Sequence, residues 1–96
     1  MLPNELLDIV KTYLDLAWID DNAEKKLTLM IKNSIQYFDG KSGIENDYLV
    51  EGRAQSLLLT RVNYEWCEML HEFEDNYKTE IISFINNAKV KKYGNI

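Results

Sequence analysis

Breakers are scarce in this chain of 96 residues. Proline occurs once, at Pro3, and glycine four times, at Gly40, Gly43, Gly52 and Gly94. So few residues that interrupt a hydrogen-bonded ladder point to long helices. Cysteine also occurs once, as Cys67, which excludes an intramolecular disulfide and suits a reducing compartment. No run approaches the roughly 18–20 apolar residues of a membrane span, and MLPNELLDIV lacks the basic-then-apolar plan of a signal peptide. A soluble, intracellular protein with no membrane partner is expected. Arginine appears only as Arg53 and Arg61, and histidine only as His71.

What is present fits one small domain. The hydrophobic fraction is 46% and the charged fraction 28%, too apolar for disorder. The formal charge of −5 disfavours a nucleic-acid duplex as partner, because an acidic surface repels phosphates. Positive charge concentrates only at Lys89, Lys91 and Lys92.

Apolar residues recur at helical spacing. A first helix is expected over about Asn4 to Leu14, opened by Pro3 or Asn4, with Leu6, Ile9, Val10, Tyr13 and Ala17 on one side. Trp18-Ile19-Asp20-Asp21-Asn22 breaks it and offers caps for the next. The second helix spans about Asn22 to Asp39 and stops at Gly40; Ala23, Leu27, Met30, Ile31, Ile35 and Phe38 share its buried face. GKSGIEND, residues 40–47, reads as a loop. The third helix covers about Asp47 to Leu70, with Leu58, Leu59, Val62, Trp66, Met69 and Leu70 on a broad apolar face. Opposite them, Leu57 and Tyr64 form a narrow second strip, and apolar groups on two sides imply neighbours on two sides, either other helices of the same domain or another subunit. A phase shift near His71-Glu72 marks a kink. The fourth helix then runs to about Ala88, with Phe73, Tyr77, Ile81, Phe84, Ile85 and Ala88 inward. The expected fold is therefore all-α: a single bundle of about four helices over residues 1–88 and a flexible C-terminal tail over 89–96.

Chemistry finds little purchase. Cys67 and His71 are four apart, as a thiol and its base on one helix face would be, yet no third group is identifiable and a buried cysteine is commonplace. His71, Glu72, Glu74 and Asp75 have metal-ligand side chains, but successive positions on a helix point about 100° apart and do not converge. Acidic residues in a first turn explain them without a metal. Asp20 and Asp21 read as caps rather than an acid–base pair. Arg61 with Glu65 reads first as a solvated helix-face ion pair, and otherwise as a bridge between subunits. No enzyme, cofactor or metal is expected.

Two stretches carry a resemblance. LLDIVKTYLDLAWIDDNAEKKLTLMIKNSIQYFDG, residues 6–40, resembles the first half of the small head–tail connector (adaptor) proteins of tailed bacteriophages, which commonly begin with a short helix, a Trp-Asp-type break and a helix of the kind Asp-x-x-Leu-x-x-x-Ile. EGRAQSLLLTRVNYEWCEMLHEFEDNYKTEIISF, residues 51–84, resembles that family's remaining helices, most closely at Ala54 with Leu57-Leu58-Leu59, at Glu72-Phe73, and at Asn76-Tyr77 leading to Glu80-Ile81. The resemblance covers roughly residues 5–88. It implies a non-enzymatic structural protein of the virion neck, present in the host bacterial cytoplasm before assembly and also encoded by prophages. It further implies a ring of copies, twelve-fold in the virion, beneath the portal protein. Such a ring contacts the next neck or tail-completion protein and passes DNA as a non-specific cargo. The family's motifs assign no catalytic residue, and the short C-terminal tail departs from its pattern. Candidate subunit or portal contacts are Trp18, Leu57, Tyr64, Lys89, Lys91 and Lys92. The alternative is a small helical protein-binding or regulatory module; a DNA-reading version would need a basic helix, which Arg53 and Arg61 among Glu51, Glu65 and Glu68 do not make.

Overall fold

The computed structural model describes residues 4–93, with side chains through Lys91. The described residues are all-α, with no strand among them. Pro3 lies outside them. The helices are α1 (Asn4–Tyr13), α2 (Asp21–Ser42), α3 (Arg53–Trp66), α4 (Phe73–Asn76) and α5 (Lys78–Tyr93), with a 3-10 turn at Leu70–Glu72. The body is elongated, 48 × 27 × 18 Å, with α2 as its spine; α3 packs along α2, and α5 leans on both.

α1 buries Leu6 and Val10, four apart on one face. It closes on Asp15, whose φ of 59° is left-handed, while the Leu16 N–H donates back to the Lys11 carbonyl at 2.8 Å. That is the hydrogen bond of a Schellman cap. Asp20 then caps α2, its carboxylate accepting the Ala23 N–H at 2.7 Å. Leu27, Met30, Ile31, Ser34 and Phe38 follow at three- and four-residue steps and are all buried.

α2 runs past the expected stop at Gly40 and ends at Gly43, which supplies the left-handed φ of 74° and donates its N–H to Asp39 at 2.9 Å. The extra turn is held by contacts the loop makes on Asp39. Its Oδ1 accepts the Tyr48 hydroxyl at 2.7 Å, the Asn46 side-chain amide at 2.8 Å and the Asn46 N–H at 3.2 Å. These outweigh the roughly 1 kcal/mol that an internal glycine costs a helix.

The third helix is shorter than expected at both ends. Asp47 accepts the Leu49 N–H at 3.0 Å, a local turn that competes with helix formation, so residues 47–52 stay in the loop. At the far end Glu68 turns left-handed with φ 60°, and Met69 N–H donates to the Tyr64 carbonyl at 2.7 Å. The anticipated kink at 71–72 is this reversal together with the 3-10 turn. The fourth helix is itself split at Tyr77 into α4 and α5, and it extends beyond Ala88. Residues 89–93 are helical rather than a tail, and 94–96 lie outside the described residues.

Phe38, Phe73 and Phe84 meet at the centre. Phe38 lies edge-to-face with Phe73 at 6.2 Å and with Phe84 at 5.6 Å, the arrangement ring quadrupoles favour. Leu27, Ile31, Leu58 and Val62, all fully buried, complete the α2–α3 seam.

Candidate assembly surface

Trp18 is the most exposed large apolar side chain among the described residues, at 96% of its full area. Its presentation is fixed by its neighbours. Leu14, Leu16 and Ile19 pack against the core, and Lys11 Nζ reaches Glu24 Oε2 at 3.2 Å, tying the end of α1 to the start of α2. The loop is therefore anchored on both sides of an indole that touches solvent. Asp15, Asp20 and Asp21 lie within three residues of it in sequence, all exposed.

At the other end of α2 a groove of about 710 Å³ opens between the 43–52 loop and the last turns of α5. Ile44, Val50, Ala54, Ala88 and Val90 give it an apolar floor and walls. Val50 and Val90 are more than half exposed. Glu45, Asp47 and Glu51 bring three carboxylates to its lining, and Arg53 and Lys91 bring two cations. A third exposed feature is the outward face of α2, where Leu29 lies between Lys25 and Lys32.

The residues singled out from sequence divide. Trp18 is exposed as anticipated, and Lys89 and Lys91 are solvent-facing on α5; the side chain of Lys92 lies outside the described residues. Leu57 is a correction: at 4% exposure it is part of the chain's own core, so it offers no surface to another subunit. Tyr64 is half-buried, its ring 5.8 Å from Phe73 and 5.7 Å from Tyr77, and its hydroxyl accepts the Asn76 amide at 3.2 Å. The second strip of α3 faces α4 and α5 of the same molecule. Val50 and Val90 do not stand out in the sequence, because one falls within an expected helix and the other within an expected tail. Their signal was an apolar residue amid charge, as in Lys89-Val90-Lys91.

Arg61 pairs within the chain. Its Nη1 donates to the fully buried Ser34 hydroxyl at 2.9 Å and lies 3.7 Å from Glu65 Oε1, with both charged side chains largely enclosed rather than solvated. Burial pulls the guanidinium below its usual range, opposed by Glu65. The Tyr37 phenol beneath it is raised, first by burial and then by Glu74. Tyr48 is also raised, by burial and by its bond to Asp39. These groups join helices to one another.

Elsewhere, α3 ends before Cys67, and His71 sits in the 3-10 turn, so the four-residue helical relation between them is not realised. Cys67 is exposed, its Sγ 3.7 Å from Asn63 Oδ1. His71 Nε2 meets Glu72 Oε2 at 4.0 Å, and no group of three or more potential metal-ligating side chains gathers among the described residues. Asp20 is engaged as a cap. No helix among them is long and apolar enough to cross a membrane. Comparisons with family models, curated proteins and solved structures find no match to this chain.

Proposed function

We propose that this chain is a non-enzymatic structural subunit of a phage or prophage head–tail connector. It assembles with copies of itself as a ring in the virion neck, under the portal protein, and extends the DNA channel toward the tail. The observation that carries the reading is Trp18: a nearly fully exposed indole on a loop pinned at both sides is a poor use of apolar area for an isolated domain and a good anchor for an assembly. The order of short helix, Trp-containing break and long amphipathic helix supports it through the resemblance described above. The formal charge of −5 suits a conduit that must not grip passing phosphates. A helical protein-binding module is the second reading, favoured by exposed Leu29 between Lys25 and Lys32.

The test is to mix purified chain with a portal ring from the same genome and examine the product by electron microscopy. A ring layered on the portal is the expected result. A chain that neither self-associates nor binds the portal overturns the proposal. Portal, protease and capsid genes immediately upstream would be independent support.

A further inference from the structure

Between Gly52 and Gly94 the chain contains neither glycine nor proline, yet its helix is broken at 67–72 and again at Tyr77. The first break reverses the chain. Its residues Glu68, Met69, Leu70 and Glu72 are good helix formers, but Glu68 sits at a left-handed φ of 60° and Met69 at −119°. Local preference and the course of the backbone disagree here, and such conflicts mark strained or functional sites. Val62, Trp66, Met69, Phe73 and Tyr77 follow at steps of three and four across the break, so a helix carried through it keeps them on one side. We propose that residues 67–72 are a hinge that runs on as helix in a second state, joining α3 to α4 and delivering α4 and α5 to the body of a second copy, which returns its own in exchange.

The vacated seat identifies its occupant. Phe73 of α4 and Ile81, Phe84 and Ala88 of α5 are buried, with Phe38 of α2 edge-to-face to both Phe73 and Phe84. In one continuous helix Phe73 stands about 18 Å along the axis from Arg61, whose guanidinium lies on Tyr37, so it no longer reaches Phe38 of its own chain. The segment that fits the opened seat ring for ring is the same segment of another copy. Every contact across it is regained in the exchanged pair, the Asn76–Tyr64 hydrogen bond included. The balance between the two states is therefore left to the hinge. Straightening removes the left-handed backbone at Glu68 and turns a 3-10 turn into regular helix, against the freedom lost when two copies join. The exchange needs no portal and does not depend on the connector reading.

Glu68 is exposed, so its substitutions act on the hinge and not on the core. Glu68→Gly accepts the left-handed φ and disfavours the helix, whereas Glu68→Ala does the opposite. Parent and variants are refolded as full chains at submillimolar concentration and checked by circular dichroism, and their dimer fractions are read by sedimentation velocity. The two substitutions differ by about 30-fold per hinge, and a dimer contains two hinges. The dimer of Glu68→Ala is therefore expected to be about 1000-fold tighter than that of Glu68→Gly. Refolding a mixture of isotope-labelled and unlabelled parent sets a labelled Phe38 ring beside an unlabelled Phe84, and an isotope-filtered NOE between them reports the exchange. A dimer without that cross-chain NOE, or one equally tight in both Glu68 variants, overturns the proposal. So does a parent and Glu68→Ala chain that remains monomeric after refolding.

Discussion

The guanidinium of Arg61 lies 4.6 Å from the centre of the Tyr37 ring while donating to the buried Ser34 hydroxyl, so one side chain of α3 is clamped to two residues of α2. Two charge-based contacts at a largely enclosed site make Arg61 a structural bolt. Arg61→Ala is expected to lower unfolding free energy by about 2–3 kcal/mol in urea titrations, combining a charge-assisted hydrogen bond and a cation–π contact. It also strands Glu65, whose Oε1 is buried without a hydrogen-bond partner. Adding Glu65→Gln to Arg61→Ala should therefore recover part of the loss. Simple additivity of the two changes would show that the carboxylate does not depend on Arg61.

Tyr48 couples the stability of the fold to alkaline pH. Its hydroxyl is buried against Asp39, and burial together with that carboxylate holds the phenol above the ordinary 10.0. Tyr37 is raised in the same direction. The unfolded chain releases these protons near pH 10 while the native chain retains them, so stability is complete below that pH and declines as pH rises above it. Tyr48→Phe should flatten the decline and cost about 1–2 kcal/mol at neutral pH through the lost bond to Asp39. Absorbance titration near 295 nm checks the assignment, with the parent showing one more late-ionising tyrosine than Tyr48→Phe, which keeps the raised Tyr37.

The inward faces were legible because burial imposes a period: Leu27, Met30, Ile31 and Phe38 could be chosen by spacing alone, and all are buried. So was Trp18, an apolar residue within a capping segment. Helix ends were read less well, for a local reason. Glycine marks a left-handed cap in a sequence, but among the described residues two of the three in the left-handed region are Asp15 and Glu68. The phase shift near His71-Glu72 puts the end of the third helix at Leu70, past the reversal at Glu68, and Gly40 precedes the cap at Gly43. The second strip of α3 leaves two neighbours open, another helix of the same domain or another subunit. Periodicity reveals that a second face is apolar but not whether its neighbour is the same chain, and here α4 and α5 fold back to cover it.

Those non-glycine caps make a direct prediction. A side chain in the left-handed region costs roughly 1–2 kcal/mol, and glycine there relieves the strain while adding freedom to the unfolded chain. Glu68→Gly should yield a net gain of about 0.5–1 kcal/mol, and Asp15→Gly a similar one. For a chain of this length that is a rise in Tm of several degrees, about 4–8 °C per kcal/mol. Glu68→Val, with a branched side chain at the same φ of 60°, should lower Tm. Equal melting of the glycine and valine variants would mean that the reversal after α3 is not held left-handed in solution.

Tyr64 separates an internal role from an intersubunit one. An aspartate on a free assembly strip would leave the monomer intact and weaken association alone. Packed on Phe73 and Tyr77 and bonded to Asn76, however, Tyr64 supports the turn that returns the chain from α3 to α5. Tyr64→Asp removes the ring and places a charge beside the aromatic cluster, and a loss of about 3 kcal/mol with broadened near-ultraviolet dichroism is expected. Tyr64→Phe keeps the ring and forfeits only the Asn76 bond, for about 0.5–1 kcal/mol. Sedimentation of Tyr64→Phe should match the parent at every concentration, because the hydroxyl faces Asn76 of its own chain; weakened association with unchanged melting would return Tyr64 to the interface.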